Sequence, residues 1–432
     1  MKIPILSHPT PDSCILGAVA VPPGARYKHH GRGMVTALLL LPITLTNTEI
    51  YYHHPSPAQV PVVEGSEQHI STVTEQQIEL YNDLDGWFQA PVNQGNTSAQ
   101  YLLGQSYKNG EGVEKDPELA VQLFRKAAEQ NYADAQYSLG ECYYYGTGVE
   151  KDLQQAVLWY RKAAEQNHAQ AQFRLGVCYG LGFGVSEDRQ QAVLWYRKAA
   201  EQNHPEAQCN LGVSYEKGEG VEKDPQQALY WYRRAADRNH PYAQFVLGNC
   251  YLKARGVEKD PQQAVYWYRK AAEQNLPQAQ NNLGLCYEHG IGVEKDLQQA
   301  VLWFRKAAEQ NHGSSQFALG LCYYYGTGVE KDLQQAVLWY RKAAEQNYAM
   351  AQYCLGECYY HGTGVGKDLQ QAVHWYRKAA EQNYAKAQYC LGECYYHGTG
   401  VGKDLQQAVL WYRKAAENGN QDAKDALKRL GR

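Results

Sequence analysis

The apolar positions of residues 133–167 follow a helical spacing in two separate runs. In the first run the apolar side chains recur at Ala135, Leu139 and Cys142, which places them on one stripe of a helix. The second run is broader, and its apolar members are Ala156, Val157, Trp159, Tyr160, Ala163 and Ala164. Arg161, Lys162 and Glu165 of this run should face water, as expected for an amphipathic helix that buries one face. The pattern therefore predicts a pair of helices.

A glycine-containing loop separates the two predicted helices. Gly146 follows the first run, and a glycine just past a helix readily takes the left-handed conformation that caps it. Asp152 precedes the second run, where its carboxylate can accept hydrogen bonds from the first backbone amides. Equivalent loops place Pro225 and Pro261 directly after the aspartate, where a helix does not need the N–H. We expect a helix–loop–helix unit.

This unit recurs along most of the chain at a constant period. The glycine of a Leu-Gly pair in the first helix repeats every 36 residues, at Gly104, Gly140, Gly176, Gly212, Gly248, Gly284, Gly320, Gly356 and Gly392. A fixed period of this length is typical of stacked helix pairs. Since a mid-helix glycine costs about 1 kcal/mol relative to alanine, we expect a neighbouring helix backbone to approach it closely, with the Ala163-Ala164 pair on the other side.

The tryptophans share one position of the second helix. Trp159 and Trp339 are examples, Leu123 is the one replacement among the nine units, and Trp87 lies one period before it. One aromatic residue per unit, stacked on its neighbours, would build a continuous core along the repeats. We therefore expect core residues here and not a cofactor site.

Three motifs carry a resemblance to a known family: A-x-A-Q-x-x-L-G, then G-x-G-V-x-K-D, then A-x-x-W-[YF]-R-K-A-A. They resemble the Sel1-like repeat family, a relative of the tetratricopeptide repeats, over about residues 97–419. The resemblance implies an α-solenoid whose first helices line a concave groove, and members that usually act as adaptor proteins. Departures are few: Ala254-Arg255 replaces the first loop glycine, Glu187 the usual lysine and Ser315 the usual alanine. We expect the loop of the fifth unit to be the least regular.

We therefore predict an all-α, right-handed α-solenoid of about nine 36-residue helix-turn-helix units with terminal caps. The nine repeats occupy residues 97–419, between a degenerate N-terminal capping helix at 76–96 and a C-terminal capping helix at 420–432. Residues 1–75 lack the period and are rich in proline, so we expect a disordered leader.

One apolar run, at 34–45, stands out in the leader. It is too short to span a membrane but has the length of a secretory signal core. The alternatives are an apolar patch in a disordered leader, or a misassigned start codon with Met34 as the true start.

The charge and the cysteines of the sequence indicate which class of partner and which cellular compartment to expect. The net charge is −3 and every unit carries both signs, which argues against a nucleic-acid-binding protein with its basic stripe. We expect a monomer with a protein or peptide partner, no nucleic acid and no stable membrane span. Free core thiols slightly favour the cytoplasm, whereas a signal core at 34–45 would indicate a secreted or periplasmic protein.

Seven of the eleven cysteines lie two residues after the repeat glycine, as Cys142 does. Some Sel1-like proteins carry disulfides between the two helices of each unit, but here the second helices contain no cysteine, so we expect free thiols in the core. One cluster, repeated on neighbouring first helices, suggests a metal site instead: Cys354, Cys358 and His361, then Cys390, Cys394 and His397. Thiolates and imidazoles can hold zinc. The alternative is that two near-identical units share ordinary core positions, and we predict no cofactor.

Four histidines fall in the turns between units, where we expect them to be exposed to solvent: His168, His204, His240 and His312.

Enzyme motifs are incomplete in this sequence. Gly146-Thr147-Gly148 is followed by acidic residues and not by the Lys-Ser/Thr pair of a phosphate loop. Ser214-Tyr215-Glu216-Lys217 lacks the companion motifs of penicillin-binding enzymes. We find no paired acid and base at a unique site, and we predict no catalytic residue. The alternative is an envelope-associated hydrolase, as claimed for some cysteine-rich Sel1-like proteins.

The most variable positions of the first helix lie one, four and five residues after the repeat glycine and two before it. If first helices line a concave groove, these positions would bind a peptide or protein, with tyrosines as amphipathic anchors. The candidate partner-binding residues are Tyr144, Tyr145, Tyr324, Tyr325, Tyr360, His361, Tyr396 and His397. The alternative is a surface that merely tolerates change. We favour a non-catalytic scaffold or adaptor that mediates protein–protein interaction.

Overall fold

The computed structural model describes residue 92 and residues 94–432, and residues 94–432 form nineteen α-helices and no strand. The first helices of the nine units are α1 (Thr97–Asn109), α3 (Ala133–Tyr145), α5 (Ala169–Leu181), α7 (Pro205–Lys217), α9 (Pro241–Lys253), α11 (Pro277–His289), α13 (Gly313–Tyr325), α15 (Ala349–His361) and α17 (Ala385–His397). The second helices are α2 (Pro117–Glu129), α4 (Leu153–Glu165), α6 (Arg189–Glu201), α8 (Pro225–Asp237), α10 (Pro261–Glu273), α12 (Leu297–Glu309), α14 (Leu333–Glu345), α16 (Leu369–Glu381) and α18 (Leu405–Glu417). The last helix is α19 (Gln421–Arg429).

Each helix packs mainly on the helices directly before and after it in the chain. The contact is more extensive within a unit, as between α3 and α4, than between units, as between α4 and α5. The core still crosses the unit boundary, because Phe124 and Ala127 of α2 share one buried cluster with Leu139 of α3. This arrangement confirms the predicted all-α solenoid.

The loop caps follow the sequence prediction. Asp152 Oδ1 accepts hydrogen bonds from the backbone N–H groups of Gln154 and Gln155, each at 2.9 Å. Gly146 takes the left-handed conformation with a φ of 73°. Ala254 takes it too, with a φ of 56°, although a left-handed alanine is strained. The loop of the fifth unit thus keeps the left-handed cap, but it differs from the others as expected: a Cβ at Gly256 would lie 2.7 Å from the carbonyl oxygen of Pro225, against 2.0 Å for the equivalent pair of Gly292 and Pro261.

The repeat glycine makes room for an aromatic ring. A Cβ at Gly140 would lie 2.7 Å from two ring carbons of Tyr160 and 3.3 Å from the carbonyl oxygen of Ala156. The expected close approach of a helix backbone is therefore present. The side chain against the glycine is Tyr160, however, and not the Ala163-Ala164 pair, which packs in a buried cluster with Ala171 of the next unit.

The tryptophans lie at the edge of the core and not at its centre. Trp159 is 9% exposed and packs beside Ala120 and Val121 of the preceding unit. Lys162 covers its ring, with Nζ 4.2 Å from the centroid, a cation–π contact. The completely buried aromatic position is the next one, Tyr160, and both residues lie in the buried stripe that the sequence predicted.

A chain of amide hydrogen bonds joins successive units. Gln136 Nε2 donates to the carbonyl oxygen of Ala128 at 3.1 Å and to Asn131 Oδ1 at 3.2 Å. Gln136 Oε1 in turn accepts from Gln166 Nε2 at 2.7 Å. The same bonds recur in the next unit, where Gln172 accepts from Gln202. This amide chain connects α2, α3 and the end of α4, and it satisfies a glutamine that is almost completely buried.

The four inter-unit histidines are helix caps, and the expectation of full exposure is wrong. His168 Nδ1 accepts from the backbone N–H of Ala171 at 3.1 Å, and His240 and His312 cap their helices in the same way. The side chains of His168 and His204 are only 13% and 12% exposed. An Nδ1 that accepts a hydrogen bond carries no proton, so each cap requires the neutral imidazole.

The ends of the repeat array differ in what can be described. The leader at 1–75 with its run at 34–45, and most of the predicted capping helix at 76–96, lie outside the described residues. At the other end α19 buries Ala423 and Ala426. Every helix in the described part of the chain is too short and too polar to cross a bilayer.

Gly320→Ala should destabilise the protein by about 1–3 kcal/mol through overpacking. The new Cβ would lie 2.6 Å from a ring carbon of Tyr340, which outweighs the gain of about 1 kcal/mol in helix propensity. Gly366→Ala is the control, because a Cβ there meets nothing within 4 Å. Urea unfolding followed by circular dichroism compares the two, and an unchanged midpoint for Gly320→Ala would contradict the packing argument.

Acidification should weaken the histidine caps. Burial lowers the pKa of His312 from 6.5 to about 4, so the unfolded chain binds the proton first as the pH falls. The contribution of this cap is present above pH 6.5 and declines between 6.5 and about 4, by at most about 3 kcal/mol.

His312→Asn should keep the cap and remove this part of the pH dependence, because Asn420 caps α19 through Oδ1 at the equivalent position. Thermal unfolding at pH 7.5 and pH 5 tests this. Equal pH dependence in the parent and the variant would disprove it.

Candidate functional site

We call the side chains one, four and five residues after each repeat glycine, and two before it, the first-helix surface. These side chains connect successive units. Glu141 accepts a hydrogen bond from Arg174 of the next first helix at 3.0 Å, and Gln105 donates to Ser138 at 3.3 Å. In each case the position after one glycine meets the position two before the next glycine. The first helices thus share a continuous row of side chains.

The four positions differ in depth, which the sequence did not indicate. Those at four and five residues after the glycine lie at the surface or half-buried, apart from the buried Leu252, whereas the two that meet between units are mostly buried. The buried members are Ser138, Val177, Val213, Val246, Asn249, Asn282, Leu285, Ala318, Leu321 and Cys354. We call the positions one after and two before the glycine the floor, and the positions four and five after it the rim. The variable positions therefore do not form one open face.

The predicted tyrosines and histidines form ring pairs on the rim. Tyr144 and Tyr145 meet edge to face with centroids 4.9 Å apart, and Tyr145 is 46% exposed. The same edge-to-face contact joins Tyr324 to Tyr325 and Tyr360 to His361 at 4.9 Å, and Tyr396 to His397 at 4.8 Å. The pairs of units 8 and 9 lie on neighbouring first helices, while four units separate the pair of unit 2 from that of unit 7.

Buried tyrosine hydroxyls reach the floor from the second helix. Tyr160 and Tyr412 donate to the carboxylates of Glu141 and Glu393 at 2.5 Å. Tyr376 donates to Glu357 in the same way and Tyr268 to Asn249, whereas Tyr232 donates to Glu216, a rim residue four positions after its glycine. Sequence reasoning missed these acceptors. Comparison of the units gives no usable signal, because glutamate one residue after the glycine is absent from the units with Phe124 or Phe304 and also from those with Tyr196, Tyr232, Tyr268 or Tyr340.

Burial shapes the electrostatics of these pairs. Burial and the neighbouring carboxylate raise the pKa of Tyr376 far above its usual range, so the phenol keeps its proton and donates it. Burial also raises the pKa of Glu357, while the hydrogen bond from Tyr376 opposes that shift. A further cation beside Glu357 would therefore stabilise its charged form.

Arg174 supplies such a cation to Glu141. The two side chains are only 17% and 13% exposed, and the guanidinium also donates to the Tyr145 hydroxyl at 3.2 Å. The Arg174 guanidinium lies 6.0 Å from the centroid of the Tyr144 ring. Units 2 and 3 therefore hold a buried ion pair surrounded by aromatic rings.

The cysteine–histidine sets do not assemble into a metal site. Cys354, Cys358 and Cys394 are buried, and burial raises the thiol pKa of Cys358 and of Cys394 to about 12. His361 and His397 are exposed and lie near Glu357 and Glu393, at 3.8 and 3.6 Å. Among the residues that the structure describes, no three or more His, Cys, Asp and Glu side chains are placed to hold a metal ion.

A second row of exposed apolar residues lies on the second helices, where sequence reasoning predicted only a charged outer face. Its members, one per unit from the second to the seventh and again in the ninth, are Leu158, Leu194, Tyr230, Tyr266, Leu302, Leu338 and Leu410. This row offers a matched control for the first-helix surface.

Nine consecutive stretches of the chain match the model of the Sel1 repeat: 97–132, 133–168, 169–204, 205–240, 241–276, 277–312, 313–348, 349–384 and 385–420. The chain belongs to the Sel1 repeat family. Its members are generally protein–protein interaction modules. The nine matched stretches agree with the helix pairs seen in the structure.

Two solved Sel1 repeat structures are similar over most of their length. The protective antigen c5321 of uropathogenic Escherichia coli is 34% identical, with 82% of this chain and 87% of that one covered and a TM-score of 0.55. A Sel1 repeat protein from Oxalobacter formigenes is 35% identical, with 73% and 93% covered and a TM-score of 0.57. No curated protein matches the chain.

Arg174→Leu should destabilise this Sel1 repeat protein by about 3 kcal/mol or more, because it leaves the Glu141 carboxylate buried without its cation. Adding Glu141→Gln should recover most of the loss, since an amide oxygen still accepts from the Tyr160 hydroxyl. Chemical unfolding of the single and double variants measures both effects.

The control is Arg189→Leu, because Arg189 pairs with Glu187 at 2.8 Å while half exposed. It should cost less than about 1 kcal/mol. Equal losses from Arg174→Leu and Arg189→Leu would contradict the buried ion pair.

Proposed function

We propose that this chain is a non-catalytic scaffold or adaptor that binds a protein or peptide in a concave groove lined by the first helices. The observation that carries the proposal is the first-helix surface itself. Its floor links one unit to the next through side-chain contacts, and its rim presents paired aromatic rings in units 2, 7, 8 and 9.

The chemistry of the rim suits a protein partner. Tyrosine combines a large apolar ring with a hydroxyl, and it loses little conformational entropy when it becomes fixed, which is why it is enriched at binding hot spots. Tyr360 and Tyr396 stand one period apart, so one extended segment could contact both. Once one unit holds the segment, the next contact forms at a high effective concentration, so weak contacts on several units together would give a higher affinity.

The state of the cysteines favours this function over a thiol-dependent hydrolase. A thiolate is the nucleophilic form, and reactive cysteines have a lowered pKa. Here burial raises the pKa of Cys178, Cys286 and Cys322 to about 12, which keeps them protonated. Sel1 repeat proteins are also typically non-catalytic scaffolds.

We further propose that the chain acts as a monomer with a polar C-terminal cap at 420–432. Helix α19 buries two alanines, while Asp425 and Lys428 point to solvent with 57% and 78% of their side chains exposed. A terminal helix with a charged outer face closes a repeat array without inviting a further copy.

Affinity capture with the immobilised full chain tests the groove. The double variant Tyr360→Glu with Tyr396→Glu should retain about tenfold less of any captured partner, because charge replaces two aromatic anchors. Mass spectrometry identifies and quantifies the captured proteins. Circular dichroism confirms that the variant keeps its helices.

The matched control is Leu338→Glu with Leu410→Glu, which places the same charges on the second helices, where these leucines are 41% and 44% exposed. Capture by this variant should equal that of the parent. Equal losses from both double variants, or loss only from the second-helix variant, would overturn the assignment to the first helices.

A further inference from the structure

Glu357 is a half-buried carboxylate on the first-helix surface without an arginine or lysine within ion-pair distance in the described part of the chain. Its side chain is 18% exposed, close to the 13% of Glu141. Its ion-pair partner within 4.0 Å, in the described part of the chain, is the exposed His361 at 3.8 Å. Lys386 lowers the pKa of Glu357 from beyond ion-pair distance, yet burial still holds that pKa above its usual value. The carboxylate therefore lacks a close permanent cation.

Glu141 shows what completes such a site. It occupies the same position six units earlier, and Arg174 of the following first helix pairs with it at 3.0 Å. The residue in the place of that arginine beside Glu357 is Cys390, whose Sγ lies 4.0 Å from the carboxylate. Burial raises the pKa of the Cys390 thiol well above its usual value, so it remains neutral. Cys390 thus offers Glu357 a weak thiol hydrogen bond where Arg174 offers Glu141 a guanidinium, so this position supplies no positive charge.

One unit earlier, two tyrosine hydroxyls of the same surface lack hydrogen-bond partners. The hydroxyl oxygens of Tyr325 and Tyr340 are buried and unpaired among the described residues, and Tyr340 is completely buried. The cause lies in the floor, where Leu321 and Cys354 stand in the positions that hold the glutamate and the arginine of units 2 and 3. A buried hydroxyl without a partner is costly. Tyr325 is half-buried, so part of its side chain lies at the protein surface.

We propose that the first-helix surface of units 7 and 8 binds a basic peptide segment whose arginine or lysine side chain pairs with Glu357. This inference rests on the proposed function and names the class of partner. The peptide cation takes the position that the Arg174 guanidinium has in unit 3. A neighbouring peptide carbonyl accepts a hydrogen bond from the Tyr325 or Tyr340 hydroxyl, and charge complementarity fixes the register of the segment.

A ligand-free experiment tests the geometry of this cation site. Cys390→Arg should place a guanidinium beside Glu357 as in units 2 and 3, and should raise the midpoint of thermal unfolding relative to the size-matched Cys390→Met. The rise should disappear when Glu357→Gln is added. A Cys390→Arg effect that is independent of Glu357 would overturn the proposed cation position.

A binding experiment tests the peptide. The full chain is used to select phage-displayed random dodecapeptides, and the selected peptides are synthesised and titrated by calorimetry. We expect arginine- or lysine-containing peptides that bind about tenfold more weakly to Glu357→Gln and to Cys390→Arg. Glu345→Gln, at an exposed glutamate of α14, should bind them like the parent.

The outcomes separate this inference from the proposed function. The selected peptides could lack a basic residue and yet fail to bind the Tyr360→Glu, Tyr396→Glu variant. That result would overturn the inference but support binding in the groove. Basic peptides whose affinity ignores Glu357 would also overturn it. Failure to select any peptide would count against the inference. Peptides whose affinity is unchanged by the Glu357 and Cys390 variants and by the Tyr360→Glu, Tyr396→Glu variant would count against the groove as well.

Discussion

The contact between the repeat glycine and an aromatic ring of the second helix determines the rest of each unit. With no Cβ at Gly140, the two helices approach until the Tyr160 ring lies directly on the first-helix backbone. That approach also brings the Tyr160 hydroxyl to the carboxylate of Glu141, the residue directly after the glycine. Tyr160, which packs against the glycine, thereby also influences which polar group lies on the first-helix surface, where we propose that a partner binds.

This coupling means that stability and recognition share residues in this chain. A glutamate one residue after the glycine satisfies the buried hydroxyl and gives the floor a negative charge, whereas Leu321 gives an apolar floor and leaves Tyr340 unpaired. Changes at a single position thus alter both the packing of a unit and the chemistry that it offers. Nine units of constant backbone can present different floors in this way.

The period, the helix pairs, the caps at Asp152 and Gly146 and the all-α solenoid could all be predicted from the sequence, because each depends on contacts within one unit. The functions of His168 and of the floor positions could not. Both depend on the neighbouring unit, and periodicity within a unit does not say which positions meet between units. The ring that contacts the glycine could not be predicted either, because Trp159 and Tyr160 both lie in the predicted buried stripe and the pattern does not decide which of them faces Gly140.

The amide chain has a consequence for how such a protein grows. Gln136 receives a hydrogen bond from the unit that contains it and donates to the unit before it, so a unit with this glutamine pair brings both halves of the junction. Duplication of such a unit in frame therefore creates a new boundary whose hydrogen bonds are already complete, whereas unit 4 has Arg238 in place of the donor and leaves Gln208 Oε1 unpaired among the described residues. The near-identity of units 8 and 9 is what recent unequal recombination would leave. Array length can evolve by copying alone, and new specificity then needs only substitutions at the floor and the rim.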